Sequence, residues 1–275
     1  MLKLLNAYRR VAFEFRDYRP ARVTLASIDE WLAQHERTDR ALLLDLLRHV
    51  RYVGEVEARR ALVDQNKAIL GQLQRAGVPY KKVIYVQVHD AGSSSPVMLN
   101  ELRDAAQLIQ RGCNFVDSKD VAGIARLTER LGDGAIIYVD DFIGSGHQMI
   151  GARNHMMQYA IGSFSEFALA VCICEEGAYD LTKLGVEPRA RYIHARADRP
   201  LHELGTVFDA AKKQRLIDLC AAIDKKGGLG YEQMATMVVL YRNAPNTCPR
   251  ILRGSQGQSP MKGLFPRTTD LPVSD

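Results

Sequence analysis

The chain has 275 residues, 47% of them hydrophobic and 25% charged, with a formal net charge of +5. That balance excludes disordered and fibrous classes, and the length allows one large core plus an appended subdomain. Arginines interrupt the opening MLKLLNAYRRVAFEF, and no later stretch reaches ~18 apolar residues without a charge, so neither a secretory signal nor a membrane span is expected and the expected location is the cytoplasm.

Up to residue 80 the chain is rich in helix formers. Apolar positions recur at helical spacing in Ile28, Trp31 and Leu32, and again through Leu42, Leu46, Val50 and Val53, so residues 1–80 read as a helical cap. From Lys82 the pattern changes to short β-branched runs alternating with amphipathic segments: VIYVQV (83–88), NFV (114–116), AIIYVD (135–140), ALAVCI (168–173) and ARYIHA (190–195). Such alternation predicts an α/β fold, a parallel sheet with flanking crossover helices, over residues 81–242. Ser95 before Pro96 predicts a helix start, with Met98, Leu102, Ala105 and Ile109 as its apolar face and Gly112 as its end. A second helix is expected over about 119–131 behind Asp117 or Ser118, and Gly132-Asp133-Gly134 turns the chain into the next strand. Glu175 and Glu176 read as dipole partners in the first turn of a later helix, and His194 as a satisfied polar group at a strand end. After Pro200, helical stretches are expected around 207–223 and 231–241. Residues 243–275 are rich in Pro, Gly, Asn and Ser and read as an irregular lobe or tail.

Between Arg242 and Thr269 stand five basic residues, Arg242, Arg250, Arg253, Lys262 and Arg267, and no acid. This run is either a solvated basic tail or a surface that meets phosphates. The five cysteines include no CxxC pair, and none of the seven histidines is spaced with a cysteine pair as zinc ligands would be. Buried free thiols are expected, and no metal held by protein ligands alone.

The segment that carries chemistry is residues 136–148, IIYVDDFIGSGHQ. A buried strand ends in two adjacent acids, Asp140 and Asp141, and then reaches Gly144-Ser145-Gly146 and a helix beginning near His147. In open α/β sheets ligands gather at the carboxyl ends of the strands. A glycine turn there points backbone N–H groups into free space, and the following helix N-terminus adds partial positive charge, so a phosphate fits it. Paired carboxylates beside that turn suit ribose hydroxyls. Tyr138-Val139-Asp140-Asp141 also spells the YxDD signature of polymerase palm sites, where two aspartates hold Mg²⁺. That motif lies on a β-hairpin turn, whereas here a glycine turn leads into a predicted helix. A second phosphate element is offered by Ser93, Ser94 and Ser95 after VIYVQV, where an ordinary serine-rich helix cap is the alternative.

The order of acids, glycine turn and helix resembles the phosphoribosyl-diphosphate motif of type I phosphoribosyltransferases. Asp140 and Asp141 match its acidic pair, and Gly144, Ser145 and Gly146 its phosphate turn. His147 stands where that family usually carries Thr or Ser, and Gly144 lacks a hydroxyl, with Ser145 and Gln148 in position to substitute. Across nearly the whole chain, IDEWL (28–32), residues 42–53 with Arg51-Tyr52, GSSS (92–95), VDDFIGSGHQ, NAPN (243–246) and LFPR (264–267) are similar to the PRTase-CE group of bacterial conflict and phage-defence proteins. The resemblance implies a type I phosphoribosyltransferase-like core and a 5-phosphoribosyl diphosphate or nucleotide ligand. It also implies Mg²⁺ carried with the substrate diphosphate, and an effector role with protein partners of a defence system rather than nucleotide salvage. Asp140 and Asp141 would be catalytic, with residues 144–148 on the 5′-phosphate and Ser93 to Ser95 near the diphosphate. A nucleotide-binding regulatory module without chemistry is the alternative, and a nucleic-acid partner rests on the basic run alone.

Overall fold

The computed structural model describes residues 2–88, 94–254 and 261–267. In chain order the elements are α1 (Leu2–Glu14), α2 (Leu25–Ala33), α3 (Arg40–Leu47), β1 (Arg51–Val53), α4 (Glu55–Arg75), β2 (Val83–Gln87), α5 (Ser94–Ala105), β3 (Asn114–Asp117), α6 (Val121–Leu131), β4 (Asp133–Val139), β5 (Phe142–Ile143), α7 (His147–Met157), β6 (Ser163–Cys174), α8 (Glu175–Lys183), β7 (Val186–His194), α9 (Ala210–Ile223), β8 (Val238–Leu240) and α10 (Arg250–Arg253). They form two compact units, residues 56–193 and residues 1–55 with 194–275. Among the described residues no helix is long and apolar enough to cross a membrane.

The first of these units is the α/β core. Its sheet runs β3-β2-β4-β6, every neighbouring pair parallel, with β5 and β7 also pairing with β6. Residues 135–139 of β4 are buried throughout, because a central parallel strand is covered on both faces and tolerates no polar alternation. One face of the sheet packs Ile84, Val86, Ile136, Tyr138 and Ala168 against Ile124, Met149, Met156 and Leu181 of the crossover helices. This is the predicted parallel sheet with flanking helices.

Two local details differ from the sequence reading. Helix α5 stops at Ala105, and Gln107 takes φ 52°, so Leu108 is buried and Ile109 is left 60% exposed. The cap of α6 is Asp120, whose carboxylate accepts from the Gly123 N–H at 2.9 Å, while Asp117 accepts from the side chain of Gln87 and the N–H of Lys119.

The second unit joins helices from the start of the chain to the late segments. Phe15, Trp31, Leu32, Leu46 and Leu47 share one core with Leu216, Val239, Ile251, Leu252 and Phe265. Arg51–Val53, expected to be helical, is instead a strand paired in parallel with Val238–Leu240, which was also expected to be helical. Three residues are too few for hydrophobic periodicity to separate a strand from a helix turn. The late segment is packed: Ala244, Cys248, Ile251, Leu252, Leu264 and Phe265 are all buried. All five cysteines are free and buried, as expected.

Candidate functional site

Strand β4 delivers Asp140 and Asp141 to the carboxyl edge of the sheet. Their backbone keeps the ladder to β6: the Asp140 N–H donates to Leu169 O at 3.0 Å, and Val171 and Cys172 donate to Asp141 O at 3.1 and 3.3 Å. The register passes from Val139 beside Leu169 to Phe142 beside Cys172 without a shift. The acidic step is thus a break in a continuing parallel ladder and not a hairpin turn, which removes the geometry a palm-type YxDD site requires. Both aspartates are buried, at 5% and 7% exposure, and Asp140 Oδ1 accepts from the Asp141 N–H at 2.8 Å.

Beyond β5, Gly144 and Ser145 are half-buried and Gly146 is buried with φ +83°, a left-handed conformation that glycine adopts without a Cβ clash. Helix α7 follows at once, its first turn closed by Ile150 N–H to Gly146 O at 2.9 Å. The leading N–H groups of an α-helix have no acceptor within the helix, and Gly146 has no side chain to cap them. His147 and Gln148 are exposed on that first turn. Residues 140–148 therefore bring together two carboxylates, a glycine turn and a helix N-terminus, the constellation expected from the sequence.

The turn is held from behind by Gly177 in the first turn of α8, a residue the sequence reading passed over. A Cβ on Gly177 would stand 2.4 Å from Gly144 O and 3.1 Å from Ile143 Cγ2, and one on Gly146 would stand 3.3 Å from Gly177 Cα. Glycine at both positions lets the N-terminal ends of α7 and α8 approach. The only sequence signal was a glycine inside the first turn of a helix, where it lowers helix propensity and so asks for a packing reason. Glu175 and Glu176 take the first two positions of α8, in keeping with acids beside a helix N-terminus.

Helix α7 is locked to the sheet by a buried polar network. Glu166 on β6 accepts from Arg153 Nη2 at 2.6 Å, Arg153 Nε at 2.9 Å and the Tyr138 hydroxyl at 2.7 Å. Burial, then the Glu166 carboxylate, push the Tyr138 phenol well above its usual range, so it stays a neutral donor. The hydrogen bond to Glu166 likewise raises the Arg153 guanidinium.

The serine element is placed in part. Ser93 lies outside the described residues, as does the side chain of Ser94. Ser95 is fully buried, and its hydroxyl accepts from the Val88 N–H at 3.0 Å and donates to Val139 O at 2.7 Å. Ser95 thus ties the ends of β2 and β4 together directly before the acidic pair. His194 lies in the other unit, its Nε2 accepting from the Met237 N–H at 3.1 Å, which is the satisfied polar group the sequence suggested.

A model of the PRTase-CE family matches residues 28–267 of the chain. A search of curated proteins finds no match. Among solved structures, the chain is similar to the orotate phosphoribosyltransferase of Aeropyrum pernix at 12% identity and a TM-score of 0.32, over 48% of this chain and 68% of that one. With the family model spanning both the acidic pair with its glycine turn and the late NAPN and LFPR segments, the chain belongs to the PRTase-CE family and is a phosphoribosyltransferase-like protein.

Proposed function

We propose that the chain binds a 5-phosphoribosyl diphosphate or a related nucleotide at the carboxyl edge of β4 and transfers the phosphoribosyl group in a magnesium-dependent reaction, as an effector in bacterial defence. The observation that carries this reading is the unbroken succession of buried carboxylates, glycine turn and helix N-terminus over residues 140–148. Backbone N–H groups at the start of α7 and the positive end of the helix receive the 5′-phosphate. Asp140 and Asp141 accept hydrogen bonds from the ribose hydroxyls and oppose the positive charge that develops on the sugar as pyrophosphate leaves. Ser95 and the Arg153–Glu166 pair position the strand end and the helix.

The donor set suits Mg²⁺. Asp140 and Asp141 are hard oxygen donors on the sheet edge, and Mg²⁺ is commonly held by one or two carboxylates together with substrate phosphates. When bound, the ion neutralises the diphosphate leaving group. The defence role rests on membership of the family, and its partners would be proteins of such a system. A second reading, a regulatory module that binds the nucleotide without chemistry, is favoured by Gly144 and His147, which bring no hydroxyl to the phosphate turn.

One experiment separates the two. Pyrophosphate release from 5-phosphoribosyl diphosphate with Mg²⁺ and candidate bases is followed beside a calorimetric binding titration, for the wild type and for Asp140→Asn with Asp141→Asn. The transferase reading expects release that falls by about 10²–10³-fold in the double variant at an unchanged melting temperature. Full activity in the variant overturns it, and binding without release by the wild type selects the regulatory module.

A further inference from the structure

Away from the β4 edge, the unit of residues 1–55 and 194–275 carries a groove of about 720 Å³ between α3 and the first turns of α9. Ala41, Leu42, Leu44 and Ala211 give it an apolar lining, and the exposed Arg48 and Lys212 a basic one. Its two walls are tied together: Arg215 on α9 donates to Asp39, at the start of α3, through bonds of 2.8 and 2.7 Å. The Asp39 carboxylate is buried, so the pair is shielded from the solvent that weakens surface pairs. The groove is therefore present before anything enters it.

Directly before α9 the chain displays two apolar side chains, Leu204 at 54% exposure and Val207 at 42%. Scattered surface leucines need no explanation, but these two stand on a segment with little freedom. The Lys213 ammonium donates to three of its carbonyls, His202 O at 3.0 Å, Glu203 O at 3.3 Å and Gly205 O at 2.6 Å. Gly205 is pressed onto the preceding turn, where a Cβ would stand 2.1 Å from Arg199 O. At the far end Phe208 is buried, edge-on against His49 just past α3, with ring centroids 5.4 Å apart. Residues 202–208 thus form a braced knob. Covering Leu204 and Val207 costs little ordering entropy, because the backbone beneath them is already fixed.

The arrangement selects a second copy of this chain as the partner. Knob and groove belong to one unit, and both adjoin the first turn of α9. A two-fold axis there seats each copy's knob in the other's groove, the reciprocal pattern of a closed dimer, and covers all four patches at once. The charges agree in sign: the exposed Glu203, next to Leu204, comes to a groove bordered by Arg48 and Lys212. Arg48 holds Asp45 through an exposed contact of 3.5 Å, which costs little to exchange for one across the interface.

We infer that the chain self-associates as a two-fold dimer in which Leu204 and Val207 of each copy enter the α3–α9 groove of the other. The interface uses residues of the second unit alone, so Asp140 and Asp141 take no part in it.

The test is the mass of the full chain in solution, by sedimentation velocity and light scattering at up to about 100 μM. A dimer is expected for the wild type. Leu204→Lys, which spoils the knob, and Ala211→Glu, which spoils the groove, are each expected to weaken association about tenfold to hundredfold at an unchanged melting temperature. An equal mixture of the two variants is expected to form a mixed dimer, because one native knob meets one native groove and the other contact sets a lysine against a glutamate. A wild type that stays monomeric overturns the inference and leaves the groove to a protein of different sequence. A dimer that survives either substitution unchanged places self-association elsewhere and overturns it too, as does a mixture that stays monomeric.

Discussion

Gly177 carries a consequence out of proportion to its size. Its absent side chain is what lets the α8 helix start close behind the 144–146 turn, with Gly144 O only 2.4 Å from where a Cβ would stand. Gly177→Ala should therefore push the turn away from α8. The expected result is a loss of about 1–3 kcal/mol in chemical denaturation together with weakened binding of 5-phosphoribosyl diphosphate, whereas an alanine tolerated on both counts would show that the turn is not braced here. Asp140, Asp141 and the glycine turn were legible in the sequence because they are contiguous and fall at a strand end. Gly177 was not, because its meaning lies in a backbone oxygen on another element. Ser95 was legible as a helix start but not as the tie between Val88 and Val139, since side-chain hydrogen bonds across strands leave no periodic trace.

Among elements, α7 depends on a clamp more than on its own sequence. Its apolar positions are sparse, with Met149 and Met156 buried, and the side chain of Arg153, 18% exposed, reaches Glu166, 8% exposed. Arg153→Met would leave a buried carboxylate facing the Tyr138 hydroxyl with its cation gone. The expected cost is about 3 kcal/mol, read from urea denaturation, with the amides of residues 144–148 exchanging faster than in the wild type. A variant as stable as the wild type would show that the pair contributes little to holding the helix. Strands β2, β4 and β6 were readable because strands buried on both faces appear as continuous apolar runs. Strands β1 and β8 were missed because each is three residues long and its partner strand lies far away in the sequence. The early end of α5 was missed because Gln107 adopts a left-handed conformation that the sequence does not announce.

Across the whole molecule, the contacts that escape a chain read in order are the long ones. In the unit of residues 1–55 and 194–275, Trp31 Nε1 donates to Ile251 O at 2.9 Å and the Tyr18 hydroxyl to Pro266 O at 2.7 Å. Phe15 packs edge-on against Phe265 with ring centroids 4.8 Å apart. These pairings show why segments that read as separate, a helical start and an irregular end, share one core. The same unit contains a pH-sensitive joint. Asp39, beside α3, accepts from Arg215 on α9 through two bonds of 2.8 and 2.7 Å. The Arg215 hydrogen bonds hold the Asp39 carboxyl below the usual value, against the opposing effect of burial. A carboxyl whose value is lowered by folding adds stability above its unfolded value, about 3.9, and that contribution is lost as the pH falls through the lower folded value. Melting temperatures of wild type and Asp39→Asn should thus differ most near pH 7 and converge below about pH 4. A gap that stays constant down to pH 3 would show that the pair does not titrate as described.

The central claim, a ribose-phosphate site on residues 140–148, is tested most directly by a crystal structure grown with 5-phosphoribosyl diphosphate and Mg²⁺. The expected density places the 5′-phosphate against the backbone N–H groups of residues 144–148 and a ribose hydroxyl within roughly 2.6–3.2 Å of Asp140 or Asp141. Ligand density confined to another part of the molecule, with the 144–148 turn filled by a protein side chain, would contradict it.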